Sequence, residues 1–129
     1  MPVEVIRPKR PWREKFRDAF CGVREGVRGQ NSFRVHFVMA AAVIVAAAAM
    51  RVGPGEWCIL LLCVTAALAA EMFNSALERM ARAITDEHDP HVGTALDIGS
   101  AAVLVASLGS VIVGTIVFLH RLGELAGWW

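Results

Sequence analysis

The sequence predicts an all-α membrane protein: an N-terminal amphipathic surface helix followed by three transmembrane helices. Three observations carry this expectation. The 129 residues are 56% hydrophobic but only 8% aromatic, with a mean hydropathy of +0.50. The apolar residues come in long runs of near membrane-spanning length. Lys and Arg gather on one side of those runs. The whole chain carries a net charge of only +1, so no nucleic-acid partner is expected from charge. At this length a single domain, 1–129, is expected.

Residues 1–11 contain three prolines and read as an irregular tail. Residues 12–28, WREKFRDAFCGVREGVR, repeat Trp12, Phe16, Phe20, Val23 and Val27 at three- and four-residue steps. Charged residues fill the other faces, as in a helix lying on a membrane surface. No secretory signal is expected, because the first 34 residues are Arg-rich and lack an apolar core of about 7–15 residues.

The first span is predicted over 33–51. Its apolar part, VHFVMAAAVIVAAAAM, lies between Arg34 and Arg51, and both arginines can snorkel to the interfaces. RVGPGEW then makes a tight turn, since Gly-Pro-Gly does not continue a helix. The second span is predicted over 57–77 and the third over 98–119, where no charge occurs in 22 positions. Between them, 78–97 is polar, and TDEHDPHVG within it reads as a loop. Trp128 and Trp129 suit an interface.

Residues 1–34 carry nine Lys and Arg, and the 78–97 loop carries Arg79 and Arg82. Only Arg51 and Arg121 fall on the other side of a three-span topology. The positive-inside rule therefore places the N-terminus in the cytoplasm of a cell whose inner membrane holds the chain. Ala102, Ala106, Ser110 and Gly114 form a small-residue seam on the third span. Three helices make a thin bundle, so a homo-oligomer is expected. Cys21, Cys58 and Cys63 lie among apolar residues with no CxxC and read as buried free thiols. The four histidines are scattered and predict no metal site.

The second span raises a chemical question. It carries Glu71, Asn74 and Glu78 within about 60° of one another on one helix face, and Arg82 follows on that face. By helical rise, Glu78 falls ~31 Å from Trp57, at the cytoplasmic boundary of a ~30 Å core, and Glu71 ~10 Å deeper. A charge at that depth costs several kcal/mol unless paired, solvated or protonated. A purely structural solution would pair Glu78 with Arg82 and bond a protonated Glu71 to Asn74. A functional one uses the boundary carboxylate to hold hydrated Mg²⁺ and the deeper one to take a proton. Asp97 opens the third helix from the same side, where anions are favoured. Such a row suits phosphoryl transfer to a lipid hydroxyl, and equally a cation path or proton relay. The chain has no P-loop GxxxxGK[ST].

AEMFNSALE at 70–78 with ALDIGSAAVLVAS at 95–107 resembles the signature of the small prokaryotic diacylglycerol kinases and undecaprenol kinases. The resemblance covers roughly 12–122 and includes the NSFRVHF segment. GEWCILLL and GTIVFLHRL are more similar to the undecaprenol kinase branch. The resemblance implies a homotrimer of three-span protomers that moves the γ-phosphate of Mg-ATP to a lipid alcohol. Undecaprenol is the favoured acceptor and diacylglycerol the next. It further implies that Glu71 is the general base and Glu78 a Mg²⁺ ligand, with Asn74 between them orienting the phosphate or metal, so that Asn74 and Glu78 both serve ATP binding. It places Glu87, His88, Asp89 and Asp97 at the nucleotide, and Phe33, Arg34 and Ser100 on the lipid side.

Three positions depart from the family pattern. Gln30 stands where a second metal-binding Glu is usual, Leu96 where a Lys is usual, and Arg82 where an Asp is usual. Gln30 can still offer a neutral oxygen to metal and nucleotide. Arg82 can bind phosphate bidentately or instead neutralise Glu78. These changes motivate a second reading, a weakly active or inactive member that binds lipid or nucleotide. A third reading is a small cation channel or transporter subunit.

Overall fold

The computed structural model describes residues 9–28 and 31–129. The first eight residues of the tail and the candidate ligand Gln30 lie outside the described residues. Four helices account for the fold: α1 (Trp12–Val27), α2 (Asn31–Ala49), α3 (Pro54–Ile84) and α4 (Pro90–Ala126). Among the described residues there is no strand. Helices α2, α3 and α4 are each long and apolar enough to cross a membrane.

α3 and α4 run well past the spans expected from hydropathy. Most of the polar stretch 78–97 is helical, and the loop expected over 85–93 shrinks to 85–89. Leaving the hydrocarbon ends the apolar run but does not end the helix, because 78–84 contain no Gly or Pro. At 1.5 Å per residue, the 31 residues of α3 reach ~46 Å and the 37 of α4 ~55 Å. Both exceed a ~30 Å hydrocarbon layer. α4 restarts at Pro90 because Asp89 caps it: its Oδ1 accepts from the backbone N–H of His91 at 2.8 Å and Val92 at 3.2 Å.

The α2–α3 turn is equally tight. Arg51 takes a left-handed φ of 51°, and the N–H of Val52 donates to the carbonyl of Ala47, which closes the end of α2. Gly53 then caps α3, Pro54 fills its first position, and the Glu56 carboxylate accepts from the Gly53 N–H at 2.7 Å. Ala47, Val52, Leu60 and Val117 pack together at this end, with Trp57 and Phe118 against them. Arg121 Nε donates to the carbonyl of Met50 at 2.9 Å and ties α4 to the end of α2.

α4 lies along α3. On the small-residue seam, Ser110 Oγ donates to the carbonyl of Cys63 across the pair at 3.2 Å, while Ala102 faces outward. The outer faces of α2, α3 and α4 stay apolar: Val38, Leu62, Phe73, Val105 and Ile112 are exposed. Such a surface requires lipid or further copies of the chain. The cysteines are free, but Cys21 and Cys58 are exposed, not buried. Each sits on a helix face that no other described residue covers.

α1 buries none of its residues. Trp12, Phe16 and Phe20 are exposed along it. Its C-terminal end is fixed to α3, where Arg79 Nη2 donates to the carbonyl of Glu25 at 2.8 Å and Nη1 stands 3.8 Å from the Glu25 carboxylate.

Candidate active site

Helix periodicity decides which α3 side chains face inward. Glu71, Asn74 and Ser75 are buried, with Glu71 only 3% exposed. Positions i, i+3 and i+4 lie on one face, and that face packs against α4 and the first turns of α2. Glu78, one turn further, is half-buried. Asn74 Nδ2 donates to Glu78 Oε1 at 3.1 Å. Asn74 Oδ1, the atom a protonated Glu71 would donate to, has no hydrogen-bond partner among the described residues. Glu71 instead faces α2, where His36 Nε2 lies 3.8 Å from its Oε2.

α4 makes room for this row with a glycine. Gly99 is buried against Asn74, and a Cβ there would stand 2.5 Å from Asn74 Oδ1 and 3.0 Å from Leu77 Cδ1. The Oδ1 atom itself is buried without a hydrogen-bond partner among the described residues. Phe33 is 2% exposed at the start of α2, its ring 5.8 Å from that of Phe37.

Beyond Glu78 the ends of α3 and α4 enclose a cavity of about 430 Å³. Glu78, Arg82, Glu87, His88, Asp89 and Leu96 are among the residues lining it. Its loop is held in shape: the Glu87 N–H donates to Thr85 Oγ1 at 3.0 Å, and Asp89 is committed to capping α4. Arg82 and Leu96, two of the three departures, face each other's space in this one cavity. Glu71 lies seven residues, ~10 Å of helix, inward from Glu78.

Not every predicted residue joins this arrangement. Asp97 and Ser100 are exposed on α4, and neither lines the cavity. They flank Gly99, whose face is the one turned to α3. Arg34 is exposed beside buried Phe33. His36 and Gly99 were not among the sequence candidates. Both owe their importance to which turns of α2 and α4 meet α3, and a single sequence does not state that register.

A second space, about 700 Å³, runs between α2, α3 and α4. It is lined mainly by apolar residues such as Met39, Leu68 and Phe118, with His36, Ser107, Ser110 and Thr115 as polar exceptions.

Chemically, the site joins a buried carboxylate to a charged cavity at the end of a membrane-length helix pair. These features define a multi-pass helical membrane protein with a polar site at one end of its bundle. The prokaryotic diacylglycerol kinase family profile matches residues 17–118, and the chain belongs to that family. It is 31% identical over 109 residues to the undecaprenol kinase of Bacillus subtilis, covering 84% of this chain and 89% of the relative. It is also 31% identical over 111 residues to a diacylglycerol kinase of Synechocystis, covering 85% of this chain but 63% of that longer relative.

Proposed function

We propose that the protein is a lipid kinase that transfers the γ-phosphate of ATP to a membrane lipid alcohol. Undecaprenol is the preferred acceptor and diacylglycerol the next, because the curated relative matched over most of its own length is named an undecaprenol kinase. The observation that carries the reading is the burial of Glu71 about 10 Å inward of a charged cavity. A lipid hydroxyl held at the membrane boundary meets a carboxylate from one side and a nucleotide from the other.

The cavity divides the labour. Arg82 offers the phosphates a planar pair of donors. His88 and Glu87 border the space left for the rest of the nucleotide. Glu71 takes the hydroxyl proton as the oxygen attacks the γ-phosphorus. Asn74 keeps the Glu78 carboxylate aligned.

Mg²⁺ is the metal this reading calls for. Among the described residues no group of three or more His, Cys, Asp or Glu could hold a metal ion. Mg²⁺ bound with nucleotides uses one or two carboxylates plus phosphate oxygens and water. Glu78, oriented by Asn74 at the cavity, fits that donor set, and Gln30 would add a neutral oxygen. Bound there, Mg²⁺ would neutralise phosphate charge.

The exposed apolar faces, together with Asp97 and Ser100 on the outer side of α4, support a homo-oligomer, most simply a trimer. In it a neighbour's Asp97 would complete a site that one chain leaves open. The charge asymmetry supports a bacterial cytoplasmic membrane location with the N-terminus in the cytoplasm and α1 on the membrane surface. The test uses purified protein in mixed lipid micelles with labelled ATP and Mg²⁺, comparing undecaprenol and diacylglycerol, with Glu71→Gln as control. Transfer abolished by the control supports the reading. No transfer to either lipid from a folded oligomer would leave a binding protein.

A further inference from the structure

His36 has no part in the scheme above, yet its place is specific. It sits one turn after buried Phe33 on α2, with Nε2 3.8 Å from Glu71 Oε2. Among the described residues it is the only basic side chain within 4.0 Å of that carboxylate. The His36 side chain is 19% exposed against 3% for Glu71. It also lines the 700 Å³ groove between α2, α3 and α4. The imidazole therefore stands between a carboxylate closed off from its surroundings and an open space. Among the described residues no Asp, Glu, Lys or Arg lines that groove: α3 brings Cys63 as its titratable group, and α4 brings the hydroxyls of Ser107, Ser110 and Thr115.

Phosphoryl transfer to an alcohol releases one proton per turnover. Glu71, once protonated, has to be emptied before the next hydroxyl arrives, and its burial denies it direct contact with water. An imidazole can accept a proton at one nitrogen and release one from the ring.

We propose that His36 is a positioning and proton-relay residue for Glu71, an inference that rests on the lipid kinase reading. The steps balance without any further reagent. The lipid O–H bond breaks and its oxygen bonds to the γ-phosphorus. The bond from that phosphorus to the bridging oxygen breaks, and its electron pair leaves with ADP. The hydroxyl proton passes to Glu71, then to Nε2 of His36, and from the ring to water after product leaves. Before reaction, the same contact aims Glu71 Oε2 away from its own helix. Without the imidazole the carboxylate would keep its burial but lose its outlet.

The test measures steady-state transfer from ATP by the full-length protein in mixed micelles, for wild type, His36→Gln and His36→Ala. The relay predicts that kcat falls by about 10²-fold, the lower range for general acid–base groups. KM for ATP and for lipid stays within about two-fold, and added imidazole restores part of the His36→Ala rate by supplying the missing base. Wild-type kcat in both variants overturns the relay. So does a loss shared between kcat and KM with no imidazole rescue, which marks a structural role. A wild-type protein that transfers nothing overturns the kinase reading and the relay together, whereas an active wild type with unaffected variants overturns the relay alone. A measurement without turnover guards against variants that do not fold. The ¹⁵N resonances of His36 in the wild-type protein should shift on Glu71→Gln, and unchanged resonances overturn the pairing.

Discussion

Asn74 on α3 and Gly99 on α4 meet where the two helices leave no room for a side chain: a Cβ on Gly99 would stand 2.5 Å from Asn74 Oδ1. The same Asn74 reaches Glu78 through its Nδ2. One small residue on α4 thus makes room for the amide that holds a carboxylate on α3.

Gly99→Ala should therefore act on both packing and chemistry. The added methyl has to displace a buried amide, at a cost of about 1–3 kcal/mol for overpacking. Thermal unfolding in micelles should show the loss, and phosphate transfer should fall further than stability does, because the Asn74 amide is pushed off Glu78. A variant with wild-type activity would mean that Asn74 is free to turn aside.

The single arginine of the cavity invites a charge-relocation experiment. Arg82→Ala should raise KM for ATP by about 10- to 100-fold, the range for a lost charged hydrogen bond, with a smaller change in kcat. Leu96→Lys in the same chain should recover part of that affinity, since both positions line one space. If Arg82→Ala lowers KM instead, the guanidinium was occupying Glu78 rather than phosphate.

Asp89 is predicted to matter first for folding. Replacing it by Ala removes the acceptor for two backbone donors of α4 and should cost about 0.5–2 kcal/mol. Asp89→Asn should retain most of that stability, because Asn also caps well. Equal loss in both variants, seen in chemical unfolding, would point to the charge rather than the cap.

Metal dependence gives a fourth check. Chelation of Mg²⁺ should abolish transfer, and readdition should restore it. Glu78→Gln should raise the Mg²⁺ concentration needed for half-maximal rate by about tenfold or more, since a neutral oxygen replaces a charged one. An unchanged Mg²⁺ requirement would move the ligand elsewhere.

The membrane helices were legible because apolar runs bounded by Arg34, Arg51 and the 98–119 stretch leave few alternatives. Their true lengths were not. Hydropathy reports where an apolar run ends, whereas residues 78–84 remain helical beyond it, and the loop read over 85–93 closes to 85–89. The row Glu71, Asn74, Glu78 followed from 100° per residue alone. Its partners did not, because His36, Gly99 and the shared space of Arg82 and Leu96 depend on how α2 and α4 slide against α3. The exposure of Asp97 and Ser100 likewise belongs to packing between helices.

The overhang of α3 and α4 beyond the apolar layer has a kinetic consequence. A kinase built this way draws its two substrates from spaces of different dimension: one arrives through three-dimensional bulk solution, the other by lateral diffusion in a sheet. For the lipid, concentration in litres loses its meaning, and mole fraction in the surface takes its place. Spreading a fixed amount of acceptor through more inert amphiphile should slow the enzyme as surely as removing acceptor, while ATP saturation remains that of a soluble ligand.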